Sequence, residues 1–367
     1  MRVPYSYLRE QFADSESILR DIKGLLESTD FTLGAAVAQF EESFAQLCGT
    51  RHAIGVGTGT DALFLALKAL GVGPGDEVIT AANTFIATAG AITAAGARPA
   101  FVDVGDDFNL DPAAVEPAIT PRTRAILPVH YAGQPAKMAP ILEVAKRRGL
   151  PVVEDACQAI GATIGDRLVG TFGVTAGFSL HPLKNLNVWG DGGVIVTSSD
   201  ALDGQLRLLR NHGLRNRDEV EVFGYNSRLD TLQAIVGNHL IKDVEAITAA
   251  RIRNARALDS GLADLAGRVR IPARDPRERH VFHLYMFEAD DRDRLLAHLV
   301  GRGIEAKIHY PVPLHLQPAS RRLGYKDGDF PVAERQATRI ITLPVHQHLT
   351  DDQVSYMVES VRRFYRG

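Results

Sequence analysis

The chain has 367 residues, of which 45% are hydrophobic and 23% are charged, a composition typical of a globular enzyme with two domains or with one large domain and a smaller one. Its formal net charge of −3 at pH 7 gives no electrostatic reason to expect a nucleic acid or an anionic membrane as partner. Because the chain has no apolar signal-peptide core or spanning segment, and Cys48 and Cys157 lack disulfide or metal-ligand spacing, we expect a cytoplasmic protein without a metal site.

The first two thirds of the chain alternate between helical and strand patterns. Helices are predicted over 15–29, 34–48, 62–70, 85–95 and 138–148, and short apolar strands over 52–57, 77–80, 99–103, 124–130, 150–155, 178–180 and 193–197. Near-continuous apolar strands separated by helices favour a mostly parallel sheet that is covered on both faces. We expect the last of these strands to be antiparallel to its neighbours.

The pattern changes after about residue 230. A long helical region over 231–262 is rich in Ala, Arg and Ile, and we interpret it as a connector between domains. A strand over 283–288, a helix over 291–302, a strand over 306–310 and a helix over 351–365 are predicted after it. We therefore predict an α/β fold with a large cofactor-binding domain over residues 1–240. The connector helix and a smaller α+β domain would occupy residues 241–367.

A glycine-rich turn, Gly57-Thr-Gly-Thr60, follows the first predicted strand and precedes a helix. The free N–H groups and the dipole of a helix N-terminus favour a phosphate group. Asp61 could instead be a simple N-cap, and a glycine-rich turn alone is weak evidence. Since the third glycine of the G-x-G-x-x-G spacing is missing, a small phosphorylated cofactor fits better than NAD.

Other positions could bind a flat, charged cofactor. Lys184 precedes a glycine-rich segment over 190–193, and a lysine in a desolvated pocket is a nucleophile toward carbonyls, although a lysine taken alone usually lies on the surface. Asp155 ends a buried strand and could either hold a cationic ring nitrogen or cap a turn, and Gln158 could reach the same ligand. Phe85 could stack on a ring, although by itself it is more often a core residue. This set of residues matches the needs of pyridoxal 5′-phosphate.

Ordered motifs extend over nearly the whole chain. They include Gly59-Thr-Asp-Ala-Leu63, Asn83-Thr-Phe-Ile-Ala-Thr88, Glu154-Asp-Ala-Cys-Gln-Ala159, the Lys184 segment, Tyr225-Asn-Ser-Arg228 and His309-Tyr-Pro-Val-Pro-Leu-His315. With these motifs the chain resembles the DegT/DnrJ/EryC1/StrS family, the pyridoxal-phosphate sugar aminotransferases of fold type I. The resemblance implies an aspartate aminotransferase-like fold, in which a mostly parallel sheet lies between helices and a smaller C-terminal domain follows.

The resemblance also implies a role for each site residue. Lys184 would bind the cofactor as an imine and then act as the proton-transferring base. Asp155 would pair with the ring nitrogen, Gln158 would lie near the ring hydroxyl, and Phe85 would stack on the ring. The phosphate would be held by Gly59, Thr60 and Ser179, and by Asn226 from the neighbouring subunit of a homodimer. His309 and His315 would lie near the sugar.

The resemblance further implies amino transfer, with glutamate as the usual donor, to a keto-sugar that is most often linked to a nucleotide. Lysine rather than histidine at position 184 argues against sugar dehydration, and Lys184-Asn with Gly190-Asp-Gly-Gly193 indicates amination at C3. The chain departs from C3-aminating relatives at His181-Pro182 and at Asn187-Val-Trp189, so we predict that Asn187 and Trp189 shape the sugar site.

Other functions stay open at this point. The acceptor could be another ketose: a 4-keto nucleotide sugar, a sugar phosphate, an octulosonate or a cyclitol ketone. A catalytically silent regulatory relative is disfavoured because Lys184, Asp155 and Gln158 are all present. A nicotinamide dehydrogenase is disfavoured by the missing glycine.

Overall fold

The computed structural model describes residues 1–366, and its first 230 residues form an α/β unit. The helices of this part are α1 (Leu8–Gln11), α2 (Glu16–Ser28), α3 (Ala35–Cys48), α4 (Gly59–Ala69), α5 (Ile86–Ala94), α6 (Pro112–Val115), α7 (Met138–Arg148) and α8 (Asp200–Arg210). Its strands are β1 (His52–Val56), β2 (Glu77–Ala81), β3 (Arg98–Val102), β4 (Thr123–Ile126), β5 (Val153–Asp155), β6 (Thr163–Ile164), β7 (Arg167–Leu168), β8 (Thr175–Ser179) and β9 (Gly193–Thr197).

The remainder of the chain is a helical region followed by an α+β unit. Its helices are α9 (Thr231–Leu240), α10 (Val244–Leu262), α11 (Arg292–Gly301), α12 (Pro331–Arg339) and α13 (Asp351–Arg366). Its strands are β10 (Val269–Arg270), β11 (Glu278–Arg279), β12 (Tyr285–Ala289) and β13 (Ile340–Leu343). Within the described residues, no helix combines the length and the apolar character needed to cross a membrane.

The central sheet has the strand order β3-β2-β4 on one side and β5-β8-β9-β1 on the other. Parallel bridges between Ile126 and Val152 and between Val129 and Asp155 join the two sides. All neighbouring pairs are parallel except those of β9, which runs antiparallel to both β1 and β8, as predicted. The carboxyl ends of β2, β4, β5 and β8 therefore lie at one edge, where open α/β sheets bind their ligands.

The predicted α/β architecture is confirmed, with helices packed against a mostly parallel sheet. One predicted strand, 306–310, is wrong. Only Lys307 pairs with Thr342, as an isolated bridge on the side of β13 that β12 does not occupy, so this segment is an irregular edge rather than a strand. The hairpin of β6 and β7, helix α8 and the α12–β13 unit were not predicted.

The predicted long connector is divided by a 3-10 turn, Ile241–Asp243, into α9 and α10. Helix α9 packs on α3 of the first unit, and the fit is close: a Cβ on Gly237 would lie 2.6 Å from the Phe40 ring. Helix α10 packs instead on α13. A separate apolar core fills the C-terminal unit, and it includes Val3 from the N-terminus. The boundary near residue 240 stays a prediction, and the N-terminal segment crosses it.

Candidate active site

A cavity of about 500 Å³ opens at the carboxyl edge of the sheet. Most of the predicted site residues line it: Gly59, Thr60, Phe85, Asp155, Gln158, Ser179, Lys184 and His309. Residues that were not predicted also line it, among them Tyr5, Thr88, His181, His283, Lys307 and Tyr310. The topology of the sheet thus gathers groups that are distant in sequence into one enclosed space.

The N-terminus of α4 forms the end of the cavity suited to a phosphate. Thr58 is the N-cap, because its Oγ1 accepts a hydrogen bond of 2.9 Å from the N–H of Asp61; the capping role considered for Asp61 is therefore wrong. A Cβ on Gly59 would lie 2.5 Å from Cβ of Ser179, so glycine is needed for the first turn to reach β8. The N–H groups of Gly59 and Thr60 have no partner within the helix and stand beside the hydroxyls of Thr60 and Ser179.

Asp155 is held at the end of β5 by neighbours that donate hydrogen bonds to it. The residue is only 4% exposed. Its Oδ2 accepts a hydrogen bond of 2.7 Å from the hydroxyl of Thr88, and its Oδ1 accepts one of 3.2 Å from the N–H of Cys157. Both bonds stabilise a negative charge at this position, as is needed opposite a cationic ring nitrogen.

The amine of Lys184 is free to react. Within the described residues its Nζ forms neither a hydrogen bond nor an ion pair, whereas its carbonyl accepts a hydrogen bond of 2.8 Å from the Tyr7 hydroxyl. Desolvation by the cavity walls lowers the pKa of Lys184, and the nearby charge of Asp155 only partly opposes that shift. A larger fraction of the amine is consequently neutral than for a lysine in water, and the neutral amine is the form that attacks carbonyls.

Gln158 presents its amide nitrogen to the cavity. Its Oε1 accepts a hydrogen bond of 2.7 Å from the N–H of Ala132. Ala132 has a φ of 58°, in the left-handed region that non-glycine residues seldom adopt, and this conformation belongs to the turn that follows β4. Because the oxygen is engaged, Nε2 is the group that remains for a ligand, and it can donate to a ring oxygen.

Phe85 is the N-cap residue of α5 and is 47% exposed, which is unusual for a large apolar side chain. Its ring centroid lies 5.8 Å from that of Tyr310. Taken alone in the sequence, this phenylalanine resembled a core residue, but the structure leaves its ring available at the cavity wall. An exposed ring beside a charged pocket suits the stacking of a flat cofactor.

His309 also lines the cavity and belongs to the segment that follows α11. Its Nδ1 is 2.9 Å from Oγ1 of Thr342, and its ring stacks on Tyr5 at a centroid distance of 5.8 Å. Desolvation, together with the positive charges of Lys307 and Lys184, lowers the pKa of His309 to about 4. This imidazole is therefore neutral near pH 7, and it can contact a sugar by hydrogen bonding rather than by charge.

Three predicted substrate-binding residues lie outside the cavity. His315 is buried: its Nε2 is 2.9 Å from Oε1 of Glu334, and its ring packs edge-on against Phe330. Asn187 is also buried and donates a hydrogen bond of 3.1 Å to the carbonyl of Lys184. Trp189 packs against Phe12. We therefore do not propose direct sugar contacts for these residues. Asn187 binds the backbone of Lys184, Trp189 packs against Phe12, and His315 contacts Glu334 of α12.

Asn226 does not reach the cavity of its own chain. It is exposed and bridges to Asn211 in the segment that follows α8. This position leaves its side chain available to another molecule, as expected for a residue assigned to the neighbouring subunit. The structure describes one chain, so the predicted contact with the phosphate stays a prediction.

Comparisons with known proteins show similarity over nearly the whole chain. The model of the DegT/DnrJ/EryC1/StrS aminotransferase family matches residues 13–362. The "Pleiotropic regulatory protein" of Geobacillus stearothermophilus is 44% identical, covering 100% of this chain and 99% of the relative. The dTDP-3-amino-3,4,6-trideoxy-alpha-D-glucose transaminase of Streptomyces venezuelae is 42% identical, covering 99% and 96%. The crystal structure of S. venezuelae DesV in complex with a ketimine intermediate has a TM-score of 0.97 at 42% identity, covering 100% and 99%.

Proposed function

The chain belongs to the DegT/DnrJ/EryC1/StrS aminotransferase family, and from this premise we propose that it moves an amino group from an amino acid to the keto group of a nucleotide-linked hexose. Pyridoxal 5′-phosphate is its cofactor. The observation that carries the proposal is the unpaired amine of Lys184 in the same cavity as the carboxylate of Asp155. A regulatory role without catalysis would leave no reason to keep this costly arrangement of an unpaired lysine.

The residues of the cavity fit the parts of this cofactor. Gly59, Thr60 and Ser179 would hold its phosphate, and Asp155 would hold the ring nitrogen. Gln158 would donate to the ring oxygen through its Nε2, since its Oε1 already accepts from the N–H of Ala132. Phe85 would cover one face of the ring and exclude water from it. When bound, pyridoxal phosphate supplies an electron-accepting ring that weakens the bonds to the carbon bearing the amine.

Lys184 performs the proton transfers. Its Nζ would hold the cofactor covalently and would be released when a donor amine binds. The freed Nζ would then move a proton away from the donor α-carbon and, in the reverse direction, onto the sugar carbon that receives the amine. Desolvation favours the neutral amine that this role requires. Asp155 keeps a negative charge against the ring nitrogen throughout, aided by its two hydrogen-bond donors.

We propose a 3-keto-hexose as the acceptor and L-glutamate as the donor. The C3 assignment is supported by the Lys184-Asn and Gly190-Asp-Gly-Gly193 pattern and by the name of the Streptomyces relative, a 3-amino sugar transaminase. On the acceptor side of the cavity, the neutral imidazole of His309 can donate to or accept from a sugar hydroxyl. A 4-keto nucleotide sugar is the second candidate.

Labelled product identifies the acceptor. The purified enzyme is incubated with nitrogen-15 L-glutamate and, in separate reactions, with a 3-keto and a 4-keto nucleotide hexose, and the product is analysed by NMR. We expect the label to appear on C3 of the first sugar, and no label in a matched reaction without enzyme. Label on C4 of the second sugar alone would contradict the C3 assignment. Label in neither sugar would contradict the nucleotide-linked acceptor and would direct the search to other ketones.

We also propose that the enzyme is a homodimer with shared active sites. Asn226 lies outside the cavity of its own chain, and the segment that carries it exposes apolar side chains, with Phe223 being 98% exposed. A second copy of the chain would cover these side chains and bring Asn226 to a phosphate.

Complementation between two weak variants tests the shared site. Lys184→Ala and Asn226→Ala are each expected to be impaired as homodimers. After the two are unfolded and refolded together, heterodimers carry one site with both residues intact, so about a quarter of wild-type activity per site should return for statistical mixing in a two-fold dimer. No gain over the sum of the separate variants would indicate that Asn226 does not act across subunits.

A further inference from the structure

A chain of hydrogen bonds extends from α5 to the carboxylate of Asp155. The Thr84 hydroxyl lies 3.1 Å from the Thr88 hydroxyl, which lies 2.7 Å from Oδ2 of Asp155. All three side chains are buried. An ionised carboxylate can only accept hydrogen bonds, so Thr88 is the donor to Asp155. The single proton of Thr88 is thereby used, and Thr84 must donate to the oxygen of Thr88.

Donation from Thr84 to Thr88 and from Thr88 to Asp155 has an electrostatic consequence. Each hydroxyl polarises the next, so Thr88 becomes a stronger donor than an isolated threonine would be. Because the N–H of Cys157 donates to Oδ1, each oxygen of the Asp155 carboxylate accepts a hydrogen bond that stabilises the shared negative charge. Both oxygens also keep a lone pair for another partner. The carboxylate of Asp155 is thus held in place by two donors and keeps lone pairs with which it can bind a cationic partner.

We propose that Thr88 is a positioning residue that decides where the proton between Asp155 and the cofactor ring nitrogen lies. This inference rests on the proposed function. A proton shared by a carboxylate and a pyridine nitrogen lies on the stronger base of the two. Because Thr88 donates a hydrogen bond to Asp155, it favours a carboxylate facing a protonated ring nitrogen, and only the protonated ring is an effective electron acceptor. Thr88 acts through Asp155.

Four substitutions separate this role from simple packing. Thr88→Val keeps the branched shape but removes the donor, whereas Thr88→Ser keeps the hydroxyl and removes the methyl group. Thr93→Val is the matched control, because Thr93 lies on the same helix and its hydroxyl bonds only to the carbonyl of Ala89. Thr84→Val removes only the outer hydroxyl of the chain and is expected to give a smaller change of the same sign.

The measurement is the nitrogen-15 chemical shift of ring-labelled pyridoxal phosphate in each holoenzyme, with kcat and the melting temperature as companions. We expect a protonated ring in the wild type, in Thr88→Ser and in Thr93→Val. In Thr88→Val the shift should move toward that of a neutral pyridine, and kcat should fall about tenfold or more without a matching change in melting temperature. Serine should restore most of the loss.

Specific results would overturn the inference. A wild-type ring that is not protonated, or an unchanged shift in Thr88→Val, would show that Thr88 does not place the proton. If Thr88→Val fails to fold, an unchanged shift in Thr84→Val would have the same meaning. A wild-type protein that does not bind the cofactor at all would instead contradict the proposed function, so the two failures are distinguishable.

Discussion

Lys184→Ala is expected to lower transamination by about 10⁴-fold or more, the largest effect of any single substitution in the chain, because it removes both the covalent anchor and the proton-transferring base. The Nζ of Lys184 has no partner within the described residues, so the fold does not depend on its charge. We expect the variant to keep its melting temperature within a few degrees. It should still bind pyridoxal phosphate noncovalently through the phosphate site at α4.

The measurement is the steady-state rate of amino-sugar formation, with calorimetry as the test of folding. Lys146→Ala is the matched control, since Lys146 is exposed on α7, and its removal should leave the rate unchanged. Added small amines should restore a fraction of the activity of Lys184→Ala, because they can enter the space that its side chain leaves. A variant that transaminates at the wild-type rate would exclude Lys184 as the base.

Asp155→Asn is expected to lower kcat by about 10³-fold, which corresponds to about 4 kcal/mol of lost transition-state stabilisation. The amide keeps the size of the side chain but carries no charge to hold a proton on the ring nitrogen, and its Nδ2 cannot accept either of the two hydrogen bonds that the carboxylate oxygens accept. Asp166→Asn serves as the control, because Asp166 is exposed in the turn between β6 and β7 and its substitution should leave kcat unchanged. Activity of Asp155→Asn within tenfold of wild type would contradict the assigned role.

The same variant makes a prediction about pH. In the wild type, desolvation lowers the pKa of Lys184, and the negative charge of Asp155 raises it. The neutral amine captures the cofactor, so the uptake rate of the cofactor-free enzyme rises with pH and reaches a plateau above that pKa. Removing the charge in Asp155→Asn removes one of the contributions that raise this pKa, and the midpoint of uptake should move to lower pH. A midpoint that moves to higher pH would have the wrong sign.

Much of the site could be predicted because it follows from local pattern and topology. Asp155 and Ser179 each end a parallel strand, and Gly59 begins the helix after another, so the sheet itself brings them to one edge. The resemblance of the sequence motifs to those of the family then implied a chemical role for each position. Lys184 needed this context, since nothing in its own segment distinguishes an unpaired lysine from an exposed one.

The residues that were missed or misplaced depend on packing that pattern does not encode. Thr88 lies in a helix of small apolar residues, and its role appears only when α5 lies beside β5. His315 belongs to a motif whose first two residues, His309 and Tyr310, line the cavity, but the 3-10 turn Leu314–Leu316 directs its ring inward to Glu334. Trp189 departs from the relatives in sequence, yet it contacts Phe12 rather than the cavity, while the neighbouring departure, His181, is at the cavity wall.

The central claim is that this protein transfers an amino group from an amino acid to a keto-sugar, by way of a cofactor that Lys184 binds. Stopped-flow absorbance of the holoenzyme, followed in two stages, tests it most directly. We predict that L-glutamate alone will remove the visible absorption of the lysine-bound cofactor within a single turnover. Addition of the 3-keto nucleotide sugar after removal of glutamate should then restore that absorption in proportion to the amino-sugar formed. Absorption that glutamate and other amino acids leave unchanged, or that no keto-sugar restores, would contradict the claim.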